Sequence, residues 1–506
     1  MAVLAVTIGA CTSEDRPAAD DDRQSSEVVA EAADPEDQAE QLNGGPAGRA
    51  ESYLPVGGAQ GEAAIKEDEG VSGLSQEQPA EENPGESDPI PEPPVATRTS
   101  ILIEVTEAKL TPADPEPNDE FGWSLGIFED LLISGAPLAD DNGGNSGTAY
   151  IFRWNGVSWE QAAKLTAVDG AEGDWFGKSA AISGDYAVVG ANLDDGPMRD
   201  GFYDDDTGSV YVFARSEGFD GEEVWRQQAK LRANPQIEWA EFGFDVEIDG
   251  DTIAVAAFND PTVAVDAGAV YVFRRQGREW LQEAILLPSE GAAGDEFGLD
   301  IALSGDTILV GAHGDDERAQ EAGAAYVYRR RGDVWVEEAI LRPPEGAAFD
   351  QFGWSVALDG DQAIVGAPFE DGTLSDSGIA YIFERTGTEW SEAIPLKASD
   401  AFQGAWFGRA VAIAGDYALI GAPRYDRIIL DNIPNEIYNF GVSYIFQHSA
   451  EGWVQIARIL ADDPGDGDDF GWTVAMTPSV ALVGAWLDDT EAGPDAGSVY
   501  AYILPQ

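Results

Sequence analysis

The groups in this chain most able to do chemistry are carboxylates. It holds 94 Asp and Glu against 28 Lys and Arg, a formal net charge of −66. They come in runs: Asp140-Asp141, Asp194-Asp195, Asp204-Asp205-Asp206, Asp315-Asp316-Glu317, Glu370-Asp371 and Asp488-Asp489. Several side-chain oxygens beside backbone carbonyls and glycine suit Ca2+, which takes about six to eight oxygen ligands. Asp194, Asp195, Asp204, Asp206, Asp315 and Asp316 are the expected ligands if the protein holds calcium. Paired carboxylates can also serve as acid and base in a hydrolase or lyase. Other catalytic chemistry has little to work with. The two histidines, His313 and His448, stand in no nucleophile–base pattern, and no G-x-S-x-G, H-E-x-x-H or phosphate-binding loop appears. Nucleic acid is excluded as a partner, since phosphate binding needs the opposite sign of charge.

These runs recur because the elements that carry them recur. A Phe-Gly pair stands at Phe121, Phe176, Phe242, Phe297, Phe352, Phe407 and Phe470, and four of the six intervals are 55 residues. Fourteen residues after each Phe comes a small pair, from Gly135-Ala136 to Gly484-Ala485, and then a Tyr. In the first six units a Trp follows, 17 residues before the next Phe-Gly. A fixed period of this length means stacked supersecondary units. Each unit reads as four strands; in the fifth they are Phe352–Leu358, Gln362–Gly366, Ile379–Glu384 and Trp390–Leu396. The second strands are unbroken apolar runs, as sheets buried on both faces require. The last unit lacks its Trp segment, whereas Glu107–Leu110, before the first unit, falls in register with Glu338–Leu341 of a complete one. The fold class expected is all-β: a seven-bladed β-propeller of four-stranded antiparallel blades, closed by an N-terminal strand.

The Phe-Gly and Gly-Ala-Pro signatures, as in Phe121-Gly122 with Gly135-Ala136-Pro137 and Phe352-Gly353 with Gly366-Ala367-Pro368, resemble the FG-GAP repeat. The resemblance spans roughly residues 104–506. It implies the propeller of integrin α subunits and of bacterial surface proteins, and with it adhesion or recognition of an extracellular protein or glycan. Units two, three, four and seven depart from Gly-Ala-Pro, with Asn192, Phe258, His313 and Trp486. The family's calcium loops between strands 1 and 2 do not carry over. Here those connections are tight Gly-Asp hairpins such as Asp359-Gly360-Asp361, too short to surround a cation.

Outside the repeats, residues 1–11 read as a lipoprotein-like signal segment ending at Cys11, the only cysteine and the expected site of lipidation. Residues 12–98 are acidic and rich in Pro, Gly and Ser, the composition of a disordered linker. Residues 99–506 form the propeller domain, and no later apolar run is long enough to span a bilayer. The expected setting is a bacterial cell envelope, as a surface-exposed, lipid-anchored monomer.

Antiparallel blades put the 2–3 loops and the blade-to-blade loops at one end of the ring. That end collects the acidic runs and the two longest 2–3 loops, in units two and six. Tyr425, Asp426, Ile429, Tyr438 and Phe440 of unit six, with Asp204 and Asp205 of unit two, are the expected ligand contacts. The other end carries the bases Arg274-Arg275, Arg329-Arg330-Arg331 and Arg385. The sequence thus favours a non-catalytic binding protein, calcium-assisted or not. A carboxylate hydrolase or lyase and a purely structural envelope protein are the alternatives.

Overall fold

In the computed structural model, which describes residues 106–195, 206–218, 223–425 and 439–504, every unit folds as one antiparallel sheet. Blade one consists of Leu125–Phe128, Leu131–Ala136, Thr148–Trp154 and Trp159–Leu165, paired in chain order. The first strands of successive blades adjoin all the way round, and that of blade seven, Thr473–Thr477, meets that of blade one. First strands therefore surround the axis and fourth strands form the rim. The described residues contain no helix. The apolar second strands are buried almost throughout, as in Leu131–Ala136 and Thr307–Ala312.

Blade seven takes its fourth strand from the other end of the domain. Thr106–Leu110 pairs antiparallel with Ser498–Ile503, from Thr106 opposite Ile503 to Leu110 opposite Val499. Side chains reinforce the seam. Lys109 Nζ lies 2.8 Å from Asp463 and 2.6 Å from Asp488, and the Tyr502 hydroxyl donates to Glu107 at 2.8 Å.

The repeat signatures are explained at the blade junctions. Phe121 N–H donates to the carbonyl of Ala496 in blade seven, while Gly122 N–H donates to Gly135 within blade one. The same double clasp recurs at every Phe-Gly, and each Phe ring is buried. The glycine of Gly-Ala then packs on the carbonyl of the next unit's Phe-Gly glycine. A Cβ at Gly366 would stand 1.9 Å from Gly408 O, and one at Gly484 would stand 2.4 Å from Gly122 O. Gly366→Ala is expected to lower stability by about 3 kcal/mol or more, because backbone must move to admit it. Ala256→Gly should cost about 1 kcal/mol at most, since blade three already accommodates a methyl there. Denaturant melts of the two variants check this contrast.

The strand limits differ from the sequence reading in two places. Phe352-Gly353 lies outside its strand, which begins at Ser355. Gln351 has φ 52° and Gly353 φ 92°, so the chain kinks there instead of extending. All seven residues preceding Phe-Gly, from Glu120 to Asp469, share this left-handed backbone. Their N–H groups bond to a second set of left-handed residues, such as Glu120 to Asp495 and Glu241 to Asp206. The kink belongs to the blade junction. The fourth strand of blade five is also broken, into Glu389–Trp390 and Ile394–Leu396. The other complete blades carry a β-bulge at this level. Pro395, which has no N–H to donate, follows in this one, a substitution an edge strand tolerates.

At the end of the ring bearing the 1–2 hairpins the arginines have local partners. Arg215 bonds to Asp185, Arg275 to Asp251, Arg330 to Asp306 and Arg385 to Asp361, each Asp coming from a Gly-Asp hairpin. Each guanidinium also lies over its blade's fourth-strand Trp, at 5.5 Å for Arg385 and Trp390. The Trp repetition is thus a packing feature. The bases expected to make this end positive are largely neutralised.

Candidate functional site

The acidic runs are drawn into the blades. The Tyr211 hydroxyl donates to Asp194 at 2.7 Å, and Lys230 Nζ reaches the same carboxylate at 2.5 Å. Asp194 is only 3 % exposed. Asp315 likewise accepts from Tyr326 at 3.1 Å, faces Arg342 at 3.0 Å and is 1 % exposed. Both carboxylates already have a cation and a hydroxyl, so a metal ion is not what compensates their charge. Asp195 and Asp316 accept backbone N–H groups from Asp206 at 3.5 Å and Glu321 at 2.7 Å, bonds that hold their loops. Among the described residues no group of three or more His, Cys, Asp or Glu gathers as a cation would need. Asp204 and Asp205 lie outside the described residues.

The unit-six insertion is described only at its ends. Tyr425 and Phe440 are 5 % and 1 % exposed, with ring centroids 5.9 Å apart. Phe402 packs on Tyr425 and the Arg458 guanidinium covers it at 4.6 Å. These two residues pack into the core between blades, where apolar rings gain by burial. Asp426, Ile429 and Tyr438 lie outside the described residues, as does Cys11.

Polar and aromatic side chains converge elsewhere at the same end of the ring, around the axis. The residue after each Phe-Gly is Trp123, Lys178, Phe244, Leu299, Trp354, Arg409 or Trp472. Trp472 lies 6.1 Å from Trp123, and Lys178 Nζ stands 4.6 Å from the Trp123 ring and 4.3 Å from Phe244. Arg409 lies 5.2 Å from Trp354 and 4.0 Å from Trp472. Six of seven blades are thus linked in a collar of rings and cations. Most of its members remain partly exposed, although the strands behind them are buried.

A second tier backs the collar, built from the positions where the sequence departs from Gly-Ala-Pro. Trp486 packs edge-on to Trp123 at 4.8 Å, and Phe258 lies 4.1 Å from Phe244. Asn192 donates to Glu241 at 2.8 Å, and His313 Nε2 lies 3.3 Å from Glu296. Burial dominates the titration of this region. It pushes Glu120 up to about 8, helped by Asp495, and Asp469 up to about 7 despite Arg424. His313 is pushed down to about 4 by burial and by Arg409, which keeps it neutral. His448 stacks on Trp453, 5.2 Å away, toward the opposite end. Among the described residues neither histidine is hydrogen-bonded to a serine, threonine or cysteine side chain.

Seven FG-GAP repeats match this sequence, at residues 105–152, 159–213, 225–273, 280–328, 335–383, 390–446 and 453–502, well over half its length. The chain belongs to the FG-GAP repeat family. Among curated proteins none matches it. Within this FG-GAP propeller the matched segments cover all four strands of each blade, including the seam strand. The collar residues escaped the sequence reading because they vary while their neighbours repeat. Comparing the position after each Phe-Gly across units would have exposed an axial ring of Trp, Lys, Phe and Arg.

Proposed function

We propose that this FG-GAP propeller is a non-catalytic binding protein that takes an extracellular protein or glycan ligand at the collar end of the ring. The collar carries the reading. Partly exposed aromatic faces beside fixed charges offer both contact area and orientation to a ligand. The chain leaves the ring at this same end after Asp195 and after Tyr425, where the two longest 2–3 connections begin. A lipid anchor at Cys11 and an acidic linker over 12–98 would hold the domain at a bacterial surface.

The test is a screen of the full chain against glycan and extracellular-matrix protein arrays, followed by titration of any hit. Saturable binding that weakens about tenfold or more in Trp354→Ala, with the fold intact, is the expected result. Binding indifferent both to Trp354→Ala and to trimming the loop between Arg424 and Phe440 would remove this reading. A hydrolase or lyase is the second reading, favoured by Glu120, whose carboxyl near 8 stays protonated at neutral pH as a general acid must. It requires turnover on the arrayed glycans that disappears in Glu120→Gln.

A further inference from the structure

We infer that Lys178 and Arg409 hold the carboxylate of an acidic sugar at the axis of the collar. This deepens the binding reading and rests on it.

Cations are scarce here, and most partly buried ones are committed. Lys109, Lys164, Lys230, Arg330, Arg342 and Arg385 each reach a carboxylate. Lys178 and Arg409 do not. Among the described residues no carboxylate lies within salt-bridge distance of either, and the side-chain contacts of both are to aromatic rings. What they meet is the faces of aromatic rings, and Arg409 Nε is buried without a hydrogen-bond partner. Cation–π contact gives back only part of what a cation loses on leaving water. In a chain with a formal charge of −66 such a pair is conspicuous, since a carboxylate partner was available at almost any position.

The two cations also feel one another. Burial lowers Lys178 to about 8 and Arg409 to about 10, and the Arg409 charge is among the causes at Lys178. An anion held by both would relieve this. The nearest carboxyls do not supply it. Glu120, Glu241 and Asp245 act on Lys178, and Asp300 and Asp469 on Arg409, from beyond contact distance. Burial raises Glu120 to about 8 and Asp469 to about 7, so near neutrality much of the charge of these two is absent, and it raises Glu241, Asp245 and Asp300 as well.

The rest of the ligand is set by the partly exposed rings of Trp123, Phe244 and Trp354, which suit the C–H faces of a sugar ring better than a bare inorganic anion. A small acidic sugar fits better than a polyanion, which the overall negative field would repel.

The experiment is a tryptophan-fluorescence titration of the full chain at pH 6.5 and physiological salt. The probes are methyl β-glucuronide and methyl β-glucoside, which differ at the carboxylate. Expected is saturable binding of the glucuronide, about tenfold or more tighter than the glucoside. Lys178→Gln and Arg409→Gln should each weaken it about tenfold, with melting temperatures unchanged or raised, and Arg409→Lys should retain part of the affinity. Equal affinity for the two glycosides overturns the inference, as does glucuronide binding unaltered in both Gln variants. Competition by acetate as effective as by glucuronide overturns the sugar assignment. Should Arg409→Gln fail to fold, Lys178→Gln and the glycoside comparison decide the matter. Saturable glucoside binding that ignores both variants would sink this inference while leaving the broader binding reading intact.

Discussion

A chain beginning at Phe121 is expected to lose on the order of 5 kcal/mol against one beginning at Thr99, with a melting midpoint lower by about 10 °C. Removing Thr106–Leu110 strips the five residue pairs that complete blade seven and uncovers the edge of Ser498–Ile503. Buried Leu110 goes with it. So does Lys109, whose loss leaves Asp488, 3 % exposed, without the cation 2.6 Å away. A charge stranded in this way costs more than the pair contributed. The bare edge should also drive self-association, visible as larger species on gel filtration. A peptide covering residues 99–112, added in excess, should bind the open edge and raise the midpoint again. Equal midpoints for the two chains, with no response to peptide, would show that the seam does not hold the ring.

The second large effect is on pH. Burial, with help from neighbouring acids, raises Glu120 and Glu247 to about 8 and Asp468, Asp469 and Glu370 to about 7. In the unfolded chain these carboxyls titrate near 4. Between those values the folded state keeps protons that the unfolded state has released, so stability falls as pH rises through the folded values. One pKa unit corresponds to about 1.4 kcal/mol. Several such groups take away on the order of 5 kcal/mol between pH 5.5 and 8.5. Opposite contributions lie outside most of this window. His313, lowered to about 4, favours folding as pH rises only up to its ordinary value near 6.5. Lys178, lowered to about 8, acts in the same sense only above that pH. Thermal melts in 0.5 M salt, which screens the general surface repulsion, should show a midpoint at least 5 °C higher at pH 5.5 than at pH 8.5. Glu247→Gln should flatten the slope. A midpoint that stays level or climbs toward pH 8.5 contradicts the assignment.

Architecture was legible because each signature residue meets a backbone constraint repeated seven times. Gly366 and Gly484 lie against carbonyls of the neighbouring blade, and Phe121 bridges two blades, so these residues are fixed by geometry and show as a period. The seam was readable for the same reason: Glu107–Leu110 carries the pattern of a fourth strand and pairs with Val499–Tyr502. The acidic loops misled. Asp194 and Asp315 look solvated in sequence because their partners stand 36 and 27 residues away, Lys230 on the fourth strand and Arg342 just past its end. Tyr425 and Phe440 look like surface residues because they flank an insertion, yet they close over a core. The collar was invisible for a different reason. It is assembled from the same position in six of the seven units, and nothing local to any unit marks it.

The seam strand has a practical consequence. It starts beside Ile503, so polypeptide enters and leaves the ring within one strand spacing, at the end bearing the 1–2 hairpins. A tag, dye or solid support joined directly at Thr106 or Ile503 is therefore attached at the end of the ring opposite the collar. The axial cations and tryptophans are left pointing away from the attachment, open to whatever flows past.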